Sequence, residues 1–292
     1  MRTFGTMLVA VLLLTGFCSC EKMILDDDPA GSIEPEGNVV IRANVYDIVP
    51  FDKTRAGQLI GDYCTKLCFV VFEDDVQKKK ILQKKGDDGF GQVSTTLPEG
   101  NYQLLVLAHS STSNPSLAKP DFIQFKNADG FSDTFYYYGN LVVAAEPKTY
   151  DVTMQRATSM LRVIITGQLP AELSRIRVYY TGESGVFNAV EGWGGSVNSK
   201  QYIFYDVAEQ EAPLTLEAYT FLRDDLGSLD VTLTAYDAKD YVIAERTLEN
   251  IPMKNRMVTE YSGALFSSSS VNELGFTFTG ETDWEVYQHL SD

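Results

Sequence analysis

Residues 92–108 read Q-V-S-T-T-L-P-E-G-N-Y-Q-L-L-V-L-A. Pro98 presets its own φ and Gly100 is free to take a positive one, so L-P-E-G makes a tight turn, and Asn101 tolerates the exit geometry. Beyond the turn, Tyr102, Leu104, Val106 and Ala108 occupy alternate positions and share one face of a strand. The stretch predicts a hairpin that closes onto an apolar core.

The same grammar runs outward in both directions. From Asn38 onward, short apolar runs are broken by turn chemistry every 8 to 12 residues or so, the spacing of a β-sandwich rather than of βαβ units. Strands are expected near 38–48, 66–73, 79–84, 90–96, 101–109 and 148–155, with fainter patterns at 121–125 and 141–145. In the second half they are expected near 158–167, 175–181, 186–190, 201–207, 213–222, 229–237, 241–247 and 274–279. Long helices are not expected. The composition agrees, with 16 Tyr and 16 Phe in 292 residues and many Val, Ile and Thr, all residues that suit a pleated, half-buried surface. A hydrophobic share of 44% is enough to build real cores. The length accommodates two domains. T-Y-D-V-T-M-Q-R-A, ending at Ala157, meets T-S-M-L-R-V-I-I-T-G with no polar linker, which places a stiff boundary near Arg156. The expected bodies are an N-terminal sandwich, 38–155, and a C-terminal one, 156–292.

The amino terminus is of a different kind. Arg2 precedes an apolar run from Met7 to Phe17, shorter than the roughly 20 residues a membrane-spanning helix needs but right for the apolar centre of a signal peptide. Phe17-Cys18-Ser19-Cys20 resembles a relaxed bacterial lipobox, with the small Ser19 before Cys20 and Phe17 in place of the usual aliphatic residue. Residues 1–19 are therefore expected to be removed and Cys20 to carry acyl chains, including palmitate, each buried methylene contributing about 0.8 kcal/mol to membrane attachment. Residues 20–37 are rich in acid, Pro and Gly and read as a flexible tether. Asp26-Asp27-Asp28 within it resembles export signals of lipoproteins in Gram-negative anaerobes.

Charge excludes one class of partner. The chain carries 24 Lys and Arg against 40 Asp and Glu, a formal charge of -16, and such a field repels nucleic acid. The basic residues Lys78-Lys79-Lys80 and Lys84-Lys85 are hemmed in by Glu73-Asp74-Asp75 and Asp87-Asp88, which reads as a solvated hairpin. The two histidines, His109 and His289, have no second ligand at metal spacing. The acidic clusters, Asp224-Asp225 among them, lack the alternating oxygens of a calcium loop and serve as turns. Neither a metal, a cofactor nor a catalytic residue is assigned. If 66–73 forms a regular strand extending back to Cys64, Cys64 and Cys68 would lie about 13 Å apart, beyond the roughly 7 Å reach of a disulfide, so two unpaired thiols are expected.

Tyr136, Tyr137 and Tyr138, in the run that starts at Phe135, and Trp193 in the Gly-rich E-G-W-G-G are the candidate ligand-facing rings, able to stack on sugars if loops present them. The competing use is structural, two of the four consecutive aromatics facing a core and Trp193 capping the end of a sandwich. Ser267-Ser268-Ser269-Ser270 reads as a loop.

Three stretches, L-P-E-G-N-Y-Q-L-L-V-L-A at 97–108, M-Q-R-A-T-S-M-L-R-V-I-I-T-G at 154–167 and L-T-L-E-A-Y-T-F-L at 214–222, resemble the FimB/Mfa-like fimbrial subunits, the anchor and assembly lipoproteins of type V pili. The resemblance covers the chain in order after the signal. It implies two tandem transthyretin-like, Greek-key β-sandwiches held by lipid at the outer face of the outer membrane, without enzymatic activity. The implied partners are fimbrial shaft subunits, received by β-strand addition at a sheet edge. Arg55 in D-K-T-R-A-G looks like the arginine after which shaft subunits are cut, but it lies in an expected surface loop, and an anchor must keep its lipid. The alternative is a surface glycan-binding lipoprotein that uses the aromatics.

Overall fold

The computed structural model describes residues 37–45, 60–126, 130–266 and 275–277, with backbone only for residue 45 and the last three. Residues 1–36, Arg55, Ser267–Ser270 and His289 lie outside the described residues, and with them Cys20 and the expected signal and tether. Ile33–Asp292 forms one compact unit. Its described part is built of strands, with one short 3-10 turn at Ile60–Asp62. The all-β expectation holds.

The first half contributes β1 (Val39–Val45), β2 (Lys66–Glu73), β3 (Val76–Lys84), β4 (Gln92–Thr95), β5 (Gly100–His109), β6 (Ile123–Gln124), β7 (Phe135–Val143) and β8 (Lys148–Arg156). The order β3-β2-β5-β7-β8-β1-β4 is nominally one sheet. It folds at the β7–β8 junction, where only Phe135 and Tyr136 pair with Arg156 and Gln155. The two layers so formed, β3-β2-β5-β7 and β8-β1-β4, enclose a core that includes Val39, Ile41, Leu67, Phe69, Leu104, Val106, Val152 and Met154.

The second half contributes β9 (Ser159–Thr166), β10 (Leu173–Ser184), β11 (Val186–Asn188), β12 (Trp193–Gly194), β13 (Asn198–Asp206), β14 (Leu214–Thr220), β15 (Leu226–Asp237), β16 (Val242–Lys254), β17 (Val258–Ala264) and β18 (Gly275–Thr277). Its layers are β13-β10-β15-β16 and β14-β9-β17-β18. They pack around Leu161, Val163, Ile176, Val178, Val231 and Ile251, among others.

The halves repeat one plan. The first strand of each pairs antiparallel with an edge strand (β1 with β4, β9 with β14) and parallel with a strand late in the half (β1 with β8, β9 with β17). The four-stranded layers β3-β2-β5-β7 and β13-β10-β15-β16 also correspond strand for strand. The second half adds β18 outside β17.

The hairpin expected at 92–108 is corrected. β4 pairs with β1, whereas β5 pairs with β2 and β7, so the turn carries the chain from one layer to the other. Two contacts set this arch. The Asn38 side chain grips Leu97 at both backbone groups, at 2.7 and 3.0 Å. The Tyr102 hydroxyl donates back to the Pro98 carbonyl at 3.1 Å, the tyrosine-corner geometry of Greek-key sandwiches. The face read from sequence is right: Tyr102, Leu104, Val106 and Ala108 all line the first core.

A second correction concerns the aromatic run. The sequence pattern places strand only at 141–145 and loop before it, but β7 begins at Phe135. β12 and β17 are also absent from the sequence reading. The acidic turn after β2 behaves as read: Asp74 and Asp75 both have positive φ, 50° and 61°, between the paired residues Glu73 and Val76, a two-residue hairpin turn whose twist matches the strands.

Candidate functional site

The inner strands of the sheet β3-β2-β5-β7 are covered on both faces. Leu67, Phe69 and Val71 of β2 point into the first core, while Cys68, Val70 and Phe72 point the other way. There they meet Leu105, Leu107, Phe125, Phe131, Phe187 and Phe221. This third core draws on both halves, and β6 of the first half pairs with β11 of the second, which in turn pairs with β12. Phe221 sits at its centre, fully buried, with ring centroids 5.6, 4.9 and 5.2 Å from those of Phe125, Phe131 and Phe187.

Polar contacts tighten the same junction. Arg156 pairs with Asp133 at 2.7 Å, its guanidinium lying over the Phe135 ring, and Thr158 donates to the same carboxylate at 3.0 Å. Arg256 donates to Gln155 at 2.9 Å, and Gln155 donates to the Tyr136 hydroxyl at 2.7 Å.

The sequence candidates fall within this junction. Phe135 is buried on one face of β7 and Tyr136 on the other, as expected of alternating residues in a strand enclosed on both sides. Tyr136 packs on Phe187 at 4.7 Å, and burial raises its hydroxyl above the ordinary value. Tyr137 and Tyr138 are half-buried, against the first and third cores respectively. Trp193 is half-buried in β12, opposite Asn188. The structure brings the two groups together through a glycine: a Cβ on Gly192, at φ +81°, would stand 2.3 Å from the Tyr136 hydroxyl. A Cβ on Gly194 would strike the Phe221 carbonyl at 2.6 Å, so this Gly-rich stretch is shaped by close packing.

The thiols are buried and free. Burial pushes the Cys68 thiol up to about 12 and raises that of Cys64 further. His109 lies beside Cys68, Nε2 to Sγ 3.9 Å, and burial, aided by the Lys66 charge, lowers it to about 4. These groups serve the core.

What the surface offers is backbone. Among the described residues, β3, β4, β13, β14 and β16 are outermost in their sheets and leave one row of N–H and C=O groups unpaired by another strand. β4 is only four residues long. β16 carries Pro252 and is irregular in its register with β15 at two places. β3 is an exposed run of lysines, with Lys78 bridged to Glu73 at 2.8 Å. Pro, irregular register and lysine all discourage stray pairing. Sequence reasoning names strand addition but no edge, because which strand ends a sheet depends on long-range pairing.

The sequence matches a family of unknown function, DUF6562, over residues 34–288. No curated protein matches it. Among solved structures, a DUF1812 protein of Bacteroides thetaiotaomicron superposes with a TM-score of 0.50 at 11% identity, over 86% of this chain and 98% of that one. The fimbrial anchor protein Mfa2 of Porphyromonas gingivalis superposes with a TM-score of 0.40 at 11% identity, over 86% of this chain and 99% of that one. The first of these shows a shared fold.

Proposed function

The chain belongs to the DUF6562 family, and we propose that it is a non-enzymatic surface lipoprotein that anchors or regulates assembly of a fimbria. Acyl chains on Cys20 hold it at the outer membrane, residues 20–37 lift the body off the bilayer, and the tandem halves 38–155 and 156–292 act as one stiff scaffold. A shaft subunit docks by adding a strand to a sheet edge, where main-chain hydrogen bonds give affinity and side-chain pockets give specificity. The observation that carries this reading is the body itself: sandwiches locked together by a shared aromatic core, with outer strands left unpaired. The three stretches that resemble FimB/Mfa-like subunits and the lipobox spacing at Cys20 support it.

The test is a Cys20→Ala chain expressed in place of the native one. Release of the protein from membranes and shedding of fimbriae into the medium are expected; fimbriae that stay attached beside a membrane-bound variant refute the reading. Recovery of a polymeric fimbrial subunit with the native protein is the second expected result. The glycan reading has less support, since the Tyr136 ring is taken up in packing and Tyr137, Tyr138 and Trp193 are only half-exposed.

A further inference from the structure

The two strands that occupy equivalent outer places, β3 beside β2 and β13 beside β10, are armed very differently. β3 reads V-Q-K-K-K-I-L-Q-K. Any two-fold antiparallel pairing of β3 with itself centred between Lys78 and Lys80 sets lysine against lysine, and like charges directly opposite repel. β13 reads N-S-K-Q-Y-I-F-Y-D. Its even-numbered residues face outward: Lys200 and Asp206 are exposed, as are Tyr202 at 38% and Phe204 at 45%.

We infer that β13 is a self-association edge, which pairs antiparallel with β13 of a second copy of this chain about a two-fold axis at Ile203. That register sets Lys200 opposite the other copy's Asp206 and Tyr202 opposite its Phe204, and the two-fold repeats both pairs. The outward row then becomes two opposite-charge pairs flanking two aromatic pairs, each a favourable cross-strand combination. An isologous contact requires such self-complementarity, and the near-palindrome K-Q-Y-I-F-Y-D supplies it in charge as well as in shape.

The structure prepares this row. Lys200 and Asp206 have no ion-pair partner among the described residues. The nearest competitor for Asp206 is Arg175, which lies opposite it on β10 and is held instead by Asp240 at 2.8 Å. The Phe204 ring is fixed between the Arg175 guanidinium at 4.8 Å, Tyr202 at 6.0 Å and Tyr236 at 6.3 Å, so little side-chain freedom is left to lose on association. β13 pairs with β10 in unbroken register from Lys200 to Asp206, the one shift lying beyond, between Gly182 and Ser184. The edge therefore offers a regular backbone ladder, free of the Pro and irregular register of β16 and of the lysine run of β3. A Cβ on Gly130 would stand 2.7 Å from the Ile203 side chain, which turns toward the core, and 3.9 Å from the Tyr202 carbonyl, while the side chains of Lys200, Tyr202, Phe204 and Asp206 stay exposed. The pairing does not depend on what the chain anchors.

Sedimentation of the purified full chain in detergent tests this with four samples besides the native protein: Lys200→Asp, Asp206→Lys, the double variant, and an equimolar mixture of the two single variants. The native chain is expected to dimerise reversibly. Each single variant places like charges opposite one another twice and is expected to raise the dissociation constant at least about tenfold. The double variant regains association, and the mixture forms heterodimers, which misfolded chains would not do. A native chain that stays monomeric, single variants that associate unchanged, or a double variant and mixture that both stay dissociated would each overturn the inference.

Discussion

Replacing Phe221 by Ala tests whether the halves are one mechanical body. The side chain is fully buried, touches three other phenylalanines and lies on the face of the third core that also covers Val70, Phe72, Leu105 and Leu107. Truncating a buried Phe removes its transfer free energy and leaves a cavity, together about 3–5 kcal/mol. The wall formed by β2, β5 and β11 is fixed in ladders, whereas Phe125 and Phe131 stand outside strands. Phe221→Leu keeps most of the volume and should cost about 1–1.5 kcal/mol. A chain of this size need not unfold in two states, so the assay is native-state hydrogen exchange read strand by strand. Protection should fall in β2 and β5 as well as in β11 and β14, although Phe221 belongs to the second half. Loss confined to β11 and β14, or a change below about 1 kcal/mol everywhere, would refute the shared-core argument.

Asp133→Ala should destabilise the protein by about 3 kcal/mol, because it removes the carboxylate paired with the nearly buried Arg156 guanidinium and the acceptor of Thr158; denaturant titration measures it, and Asp133→Asn should cost less. His109 supplies a pH dependence. Its folded-state value is depressed from 6.5 to about 4, so the stability it contributes is present above pH 6.5 and is lost as pH falls through about 4, by about 3 kcal/mol in all. His109→Gln should flatten that part of the curve in denaturation midpoints between pH 7 and pH 4. Both thiols should resist iodoacetamide at pH 8 in the native state and react in guanidinium, because burial holds Cys68 near 12 and Cys64 higher; mass spectrometry after quenching reads the outcome.

Alternation of apolar residues locates most strands, since one-sided burial writes a period of two into the sequence. It fails where burial is two-sided. In F-Y-Y-Y at the start of β7, Phe135 and Tyr136 serve opposite cores and no polar position marks a solvent face. The run therefore reads like rings on a loop. The same two-sided burial makes β2 and β5 unbroken apolar runs, but their Val and Leu content still marks them as strands. β17, V-T-E-Y-S-G-A, escapes the pattern because Ser262 and Gly263 dilute it and the strand's place is held by parallel pairing to the distant β9. The arch between β4 and β5 shows a different limit. A Pro-x-Gly turn between two strands fits a hairpin and a layer crossing equally well, and what decides is Asn38, far away in sequence, gripping Leu97. The tyrosine two residues after Gly100, bonded back to Pro98, is the one local signal of a crossing.

A scaffold of the proposed kind must resist pulling along its chain, and the strand plan offers a way to do so. In the first half the first and last strands are parallel neighbours, Val39–Val45 beside Lys148–Met154, and in the second half the first strand has the same relation to β17, Met160–Thr166 beside Val258–Ala264. Tension applied to the two ends of the first half therefore pulls β1 and β8 in opposite directions along their length. Every rung of the ladder is loaded at once, in shear, and the barrier to rupture is that of the whole set. Tension at the Asp74–Asp75 turn against the start of β5, which lies beside it, instead peels β3 and β2 from the sheet one hydrogen-bonded pair after another. Single-molecule pulling compares the two directions, with handles at residues 38 and 156 in one molecule and at residues 75 and 99 in the other. Forced unfolding reports the rate of crossing the barrier rather than equilibrium stability, so two molecules of equal stability should differ. Higher rupture force in the first geometry is expected. Equal forces in both would mean that the parallel pairs carry no load, and that the plan repeated in the two halves serves folding and not attachment.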